Sequence, residues 1–353
     1  MLILQVSCMK LGCINQHGNL VTVLKSAVIG AMLFLVTGIP AAATTPVFHQ
    51  LRPGVSDVEI QQALDALPEA GGVVVLPQGT ITITRPISLK RSHQTLRGAG
   101  MATVLRLADG ANCPVIILGE PVNQPSYTVS DVCVDSLFID GNRYGQQREL
   151  WQEQGEGSEI RNNGITVQRV SDSTVENVVA ARCRSGGLVT TREVQRLVVR
   201  GLEAFDNQFD GLACYATTQS QFINLNLHDN PGAGISLDLN FSGNTISNAV
   251  LSANDLGIFM RDSRGNQFLN VSINKSRNHG VFMAQAESAQ PELARLTACI
   301  NNSFTNIQAT NCGGSAFRVN DATCTDNTIT RAKFTENQHG GLSLAHPELV
   351  VLR

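Results

Sequence analysis

From about residue 160 onward, apolar and polar residues alternate in short runs of period two, and the runs themselves recur. Gly164-Ile-Thr-Val, Gly187-Leu-Val-Thr, Gly211-Leu-Ala-Cys, Gly234-Ile-Ser-Leu, Gly257-Ile-Phe-Met and Gly280-Val-Phe-Met follow one another at intervals of 23, 24, 23, 23 and 23 residues. After an insertion the pattern resumes at Ser315-Ala-Phe-Arg and again at Gly341-Leu-Ser-Leu. The first and third residues after each glycine are mostly apolar (Ile165/Val167, Leu212/Cys214, Ile235/Leu237, Ile258/Met260, Val281/Met283). Side chains alternate across a strand, so the second and fourth face the other way. A second strand follows in each unit, as in Asn266-Gln-Phe-Leu-Asn-Val-Ser-Ile and Gln221-Phe-Ile-Asn-Leu-Asn-Leu. A unit of this length leaves no room for a helix. Short strands between Gly/Asn/Asp turns, stacked once per repeat, predict an all-β, single-stranded parallel solenoid with regular coils over about 164–344.

Asparagine recurs with the same spacing. Asn207, Asn230, Asn254, Asn278, Asn311 and Asn337 fall at a turn in each coil, and Asn177, Asn224, Asn248, Asn270 and Asn306 inside the second strand. Asn tolerates left-handed turns, and stacked amides hydrogen-bond up a ladder, so these are read as scaffold rather than sugar binders.

The pattern changes before the coils. Ser56-Asp-Val-Glu59 is a capping box, and Ile60, Ala63, Leu64 and Leu67 fall on one helical face. A helix over about 57–67 covers the open apolar end of the solenoid, and Val73-Val-Val-Leu76 opens the first strand. Further upstream, AVIGAMLFLVTGIP (27–40) is an apolar run with Lys25 before it and Ala41-Ala42-Ala43 after it. It is shorter than the roughly 20 residues a membrane span needs. Residues 1–43 read as a signal peptide and 44–353 as one domain, secreted or periplasmic, with no membrane attachment after signal removal.

The segment EIQQALDALPEAGGVVVLPQGTITITRPISLKRSHQTLRGAG (59–100) resembles the opening module of the pectate-lyase-like superfamily. With the coils behind it, the resemblance covers nearly all of the mature chain. It implies a right-handed parallel β-helix, the fold of polysaccharide lyases, pectin hydrolases, alginate epimerases and phage tailspikes.

Charge narrows the partners. The net charge is −3 with no basic run, which removes the electrostatic footprint of nucleic-acid binding. Lysine is scarce after the leader (Lys90, Lys275, Lys333), so a lysine base is a poor default. Of nine cysteines, Cys8 and Cys13 leave with the leader, and none of the rest has the paired spacing of a zinc site. Cys299 and Cys324 occupy equivalent places in adjacent coils (Cys299-Ile-Asn-Asn-Ser-Phe against Cys324-Thr-Asp-Asn-Thr-Ile) and read either as a disulfide or as two small core residues. Cys214 points inward and reads as core.

Two insertions, Asp140 to about Arg161 and Ala286 to Ala298, join one sheet from opposite sides and would wall a cleft over the strands at 164–284. The first carries Trp151 and Tyr144 as sugar-stacking candidates. Four residues after each glycine, the outward column reads Gln168, Thr191, Tyr215, Asp238, Arg261 and Ala284. Tyrosine, carboxylate and guanidinium thus stand on three successive coils about 4.8 Å apart. The neighbouring column gives Phe259 and Phe282. Asp262 follows Arg261, and Asp210 and His279 precede their glycines. The plain alternative is an exposed Asp238–Arg261 salt bridge of little energetic weight.

Three functions remain open. A polysaccharide lyase or uronate C5-epimerase would use Tyr215 or His279 as acid or base, a cation lowering the tyrosine pKa, with Arg261 on the sugar carboxylate and Asp238 orienting it. A glycoside hydrolase of polygalacturonase type would pair two of Asp210, Asp238 and Asp262. The NTD, DD, GHG and RIK motifs of polygalacturonases are absent in that form, with Asn278-His279-Gly280 and Gln338-His339-Gly340 the nearest approaches, and the DPH signature of alginate epimerases is missing. The third is a non-catalytic polysaccharide-binding or adhesive solenoid. Asp238 and Asp262 on adjacent coils are the candidates for a calcium ion.

Overall fold

The structure, a computed structural model, describes residues 47–147, 160–286 and 297–352. The expected leader, Trp151 and the middle of each insertion lie outside the described residues. Each coil visits three sheets in turn. Leu212–Tyr215 belongs to a ten-stranded sheet, Thr217–Thr218 to a short six-stranded one and Gln221–His228 to a long fifteen-stranded one. Neighbouring coils pair parallel and in register, as Leu212↔Ile235 and Phe222↔Ile246 show. The predicted inward residues Ile165, Val167, Leu212, Cys214, Ile235, Leu237, Ile258, Met260, Val281 and Met283 are all fully buried.

The glycine column has a steric cause. A Cβ at Gly164 would stand 2.5 Å from the carbonyl oxygen of Gly187, and one at Gly257 2.4 Å from that of Gly280. The coils therefore close on each other through bare backbone at this corner, which fixes the spacing of everything downstream in each coil.

The turn asparagines form a buried ladder, but not with all the expected members. Asn207 Nδ2 donates to Asn230 Oδ1 (3.1 Å) and Asn230 Nδ2 to Asn254 Oδ1 (2.9 Å); the same oxygens accept the backbone N–H of Asn207 and Asn230. In the next coils the column is continued by Ser276 and Cys312, whereas Asn278 is exposed and Asn311 sits one residue early in a left-handed turn (φ 56). Coil lengths of 22 to 25 residues, and one of 36, shift the register that equal spacing had suggested. A second buried ladder, Asn244–Asn266–Asn302–Asn327, fills another corner. The mid-strand asparagines do bend their strands through left-handed residues (Asn248 φ 55, Asn270 φ 55) and link side chain to side chain.

The capping helix spans Asp57–Asp65, two residues shorter than predicted, with both halves of the Ser56/Glu59 box formed. It stops because side chains of the next coil take its last carbonyls: Arg91 Nη2 donates to those of Leu64, Asp65 and Leu67, and Gln94 Nε2 to that of Leu64. Asp57 in turn accepts from the backbone of Thr84 and Arg85. The solenoid also extends beyond its predicted limits. Val47–Gln50 pairs with Gly72–Val75 ahead of the helix, and Val350–Leu352 pairs with Asn327–Ile329 at the far end.

Two substitutions test this frame. Leu64→Asp places a carboxylate against the first coil and should cost at least about 3 kcal/mol and promote aggregation, read by thermal melting and light scattering. Asn254→Ala strips partners from the Asn230 N–H, the Asn230 amide and the Leu227 carbonyl. It should cost on the order of 3 kcal/mol in urea unfolding.

Candidate functional site

The ten-stranded sheet carries the outward column predicted from sequence, and strand pairing sets Tyr215 beside Asp238, Ser236 beside Phe259 and Phe259 beside Phe282. The column is not the open ladder expected. Gln168 and Asp238 are buried, 1% and 4% exposed. Over Gln168 the cause is a loop the sequence did not reveal. Gln168 Nε2 donates to the carbonyls of Glu120 and Val122, and Arg192 reaches Asn123 Oδ1 and Gln124 Oε1, drawing residues 120–126 across the sheet. This loop and the end of the first insertion wall a cavity of about 210 Å³ lined by Asn123, Arg161, Thr166, Thr191, Tyr215 and Leu239 among others.

Tyr215 stands at this cavity, and the sense of its pKa shift corrects the sequence expectation. Burial pushes its phenol well above the usual value, and Asp210 and Asp238 push it further; Arg161 and a hydrogen bond from Ser236 only partly oppose them. Tyr215 therefore keeps its proton at any working pH.

Asp210 is the unusual carboxyl. Burial raises its pKa to about 6, against the pull of a hydrogen bond from the Ala233 N–H (2.7 Å to Oδ1) and the charge of Arg161. The group has room because residue 232 is glycine: a Cβ there would lie 2.6 Å from Asp210 Oδ1. Arg161, whose guanidinium lies 4.9 Å over the Phe209 ring, acts on both Asp210 and Tyr215. In the sequence Arg161 marks only the end of an insertion. A signal for Asp210 existed: it is the one acid at a position that is Asn163, Gly186, Ala233, Leu256 and His279 in the coils around it.

Asp238 and Arg261 are joined through Oδ2 and Nη2, and Asp238 Oδ1 accepts the Leu239 N–H (2.8 Å). Arg261 also lies 5.3 Å over the Phe259 ring. Phe259 stacks on Phe282 (5.9 Å) and Phe282 on His279 (5.6 Å), so the aromatic residues form one row that braces the guanidinium. His279 Nδ1 accepts the Ser315 N–H (2.9 Å), while burial and Arg318 hold its pKa below the usual range. Its lone pair is thereby engaged, and the ring stands as a neutral Nε2–H donor.

Asp262 occupies a left-handed corner (φ 35), accepting the Asn240 N–H (2.8 Å) and Arg264 Nη2 (2.7 Å). With both acids so engaged, a calcium ion fits Asp238 and Asp262 poorly. Among the described residues no group of three or more metal-ligating side chains is assembled. Tyr144 is 79% exposed in a 3-10 turn at Arg143–Gly145, where its hydroxyl accepts from Arg143 (2.6 Å). That turn is tied to the corner Arg182–Asp206 rather than to the cavity lining.

A family model described as "Right handed beta helix region" matches residues 128–273. No curated protein matches the sequence. Among solved structures, the A-module of a mannuronan C-5 epimerase from Azotobacter vinelandii is 18% identical, with 86% of this chain and 97% of that one aligned at a TM-score of 0.55. An alginate lyase from Paenibacillus sp. is 12% identical over 85% and 98% of the two chains, TM-score 0.59. ORF18 of Geobacillus virus E2 is 15% identical over 85% and 59%, TM-score 0.64. The likeness is one of fold: the chain is a right-handed parallel β-helix. No helix among its described residues is long and apolar enough to cross a membrane.

The charge on Asp210 has a consequence for stability. Its folded pKa lies above its unfolded one, so the folded state binds the proton more tightly and stability falls as pH rises from about 4 to 6. Asp210→Asn keeps the oxygen that accepts from Ala233 and removes the charge. It should raise stability by on the order of 2 kcal/mol at pH 8, a gain that vanishes below pH 4, as followed by thermal melts across that range.

Proposed function

We propose that this protein is an exported enzyme that acts on an acidic polysaccharide by removing the C5 proton of a uronate residue, as a lyase or a C5-epimerase. The observation that carries the reading is that Tyr215 and Arg161 line one cavity on the ten-stranded sheet, that the charge of Asp210 acts on Tyr215 and that of Arg161 on both, and that Arg261 is braced on the next coils. The apolar run at 27–40 supports export, and the fold likeness to a mannuronan epimerase and an alginate lyase supports a uronan as substrate.

The chemistry follows from the electrostatics. Arg161 and Arg261 neutralise the sugar carboxylate, which makes the adjacent C5 proton more acidic. Asp210, ionised above about pH 6, takes that proton. Tyr215, held protonated, gives its own. If the proton goes to O4, the C4–O4 bond breaks and a C4=C5 double bond forms; if it returns to C5 on the opposite face, the sugar is epimerised. Asp238 orients Arg261 rather than touching the reacting atoms. The hydrolase reading loses ground because Asp238 and Asp262 are each held by an arginine and a backbone N–H. A binding-only solenoid draws its support from the burial of Gln168 and Asp238, which closes part of the ladder.

The test is turnover on a panel of uronans, reading ultraviolet absorbance for unsaturated ends and NMR for epimerised residues. Tyr215→Phe and Asp210→Asn should each lose two or more orders of magnitude in kcat, the usual scale for an acid–base group, with binding nearly intact. Arg261→Lys should raise KM, since an ammonium does not reproduce a planar fork. Activity should rise with pH through about 6. Binding without turnover on every polymer would leave the adhesive reading in its place.

A further inference from the structure

The second insertion leaves the ten-stranded sheet after Ala284, and the chain rejoins the coil at Thr297, beside Asp262. Its two stems are tied together: Ala286 N–H donates to the Thr297 carbonyl (3.1 Å), and Cys299 Sγ to the Ala284 carbonyl (3.6 Å). The next coil grips the same root, where Asp321 Oδ2 accepts the Gln285 N–H (2.9 Å) and Thr323 Oγ1 donates to Gln285 Oε1 (2.7 Å). At the centre of this knot are two free thiols. Cys299 and Cys324 are fully buried, and Cys324 Sγ accepts the Cys299 N–H (3.4 Å).

Register makes the pair specific. Ser303 pairs with Thr328 and Asn302 bonds to Asn327, so Cys299 and Cys324 are equivalent positions on adjacent coils. Coils stack about 4.8 Å apart, inside the Cα separation of roughly 4.4 to 6.8 Å that a disulfide spans. Cys133, Cys183, Cys214 and Cys312 have other partners on the adjacent coils. Cys133 pairs with Thr95 and Thr174, Cys214 with Thr190 and Leu237, Cys183 bonds to Asn207 and Cys312 to Asn337.

We infer that Cys299 and Cys324 are a redox pair that closes into a disulfide and staples the root of the second insertion to the following coil. The two thiols lose two protons and two electrons, and a disulfide oxidant such as oxidised glutathione takes them up and leaves as two thiols. Cys299 gives up its hydrogen bond to Ala284, and the bond to Cys324 replaces it as the anchor of the returning stem. This staple is independent of the sugar chemistry proposed above.

The protein, reduced and unfolded in urea, is refolded with oxidised and reduced glutathione, blocked with N-ethylmaleimide and digested. Mass spectrometry with fragmentation separates Cys299 from Cys312. The expected result is one cross-link, Cys299–Cys324, with Cys183 and Cys214 alkylated only after unfolding and a Tm several degrees above the reduced protein. Cys324→Ser should lose both the cross-link and the Tm gain. Oxidising the folded protein with diamide, a two-electron acceptor, gives the same readout where refolding is inefficient. Alkylation of both Cys299 and Cys324 in oxidised, natively folded protein, or a cross-link to any other cysteine, overturns the inference.

Discussion

The hydrogen bonding of the strands of each coil to those of the next, in register, is the constraint from which the rest of this molecule follows. A parallel ladder offers no local turn to close on itself, so the backbone donors along each strand depend on acceptors one coil away. Where the chain turns a corner the ladder is interrupted, and side chains take over. The amides of Asn207, Asn230 and Asn254 serve one corner and those of Asn244, Asn266, Asn302 and Asn327 another. The glycine corner solves the same problem by omission, letting carbonyls approach where a Cβ would stand.

That rigid frame sets the electrostatics of the cavity. Coil spacing sets the backbones of Tyr215, Asp238 and Arg261 on successive coils, and the ion pair of Asp238 with Arg261 joins two of the side chains. Asp210 is different, since its strained state comes from burial beside a notch at Gly232. A scaffold held by many ladder bonds can tolerate one half-buried carboxyl whose pKa is raised, and such a carboxyl changes protonation near pH 6.

The scaffold was largely legible in the sequence and the site less so. Period-two alternation and a glycine every 23 or 24 residues are written in the chain, and Ile235, Leu237, Ile258 and Met260 are buried as their spacing requires. Equal spacing misled at Asn278 and Asn311, because coil length changes by a residue or two and Ser276 and Cys312 fall into the column instead. The column of Tyr215, Asp238 and Arg261 was also readable; its cover was not. Residues 120–126 carry no periodicity, and their place is fixed by the side chains of Gln168 and Arg192 far along the chain. The sign of the Tyr215 shift needed the burial that this cover provides.

A coil that is 36 residues long, from Asn266 to Asn302, bonds to its neighbours as faithfully as one of 22 or 23. Extra chain is extruded at a corner, and the register on either side does not record it. Floor and walls are thus separable parts of this architecture, the floor fixed by backbone ladders and the walls free to lengthen, shorten or change composition at little cost to folding. A differently shaped groove can then arise by rewriting corner segments alone, leaving the stacked strands as an unaltered template beneath it.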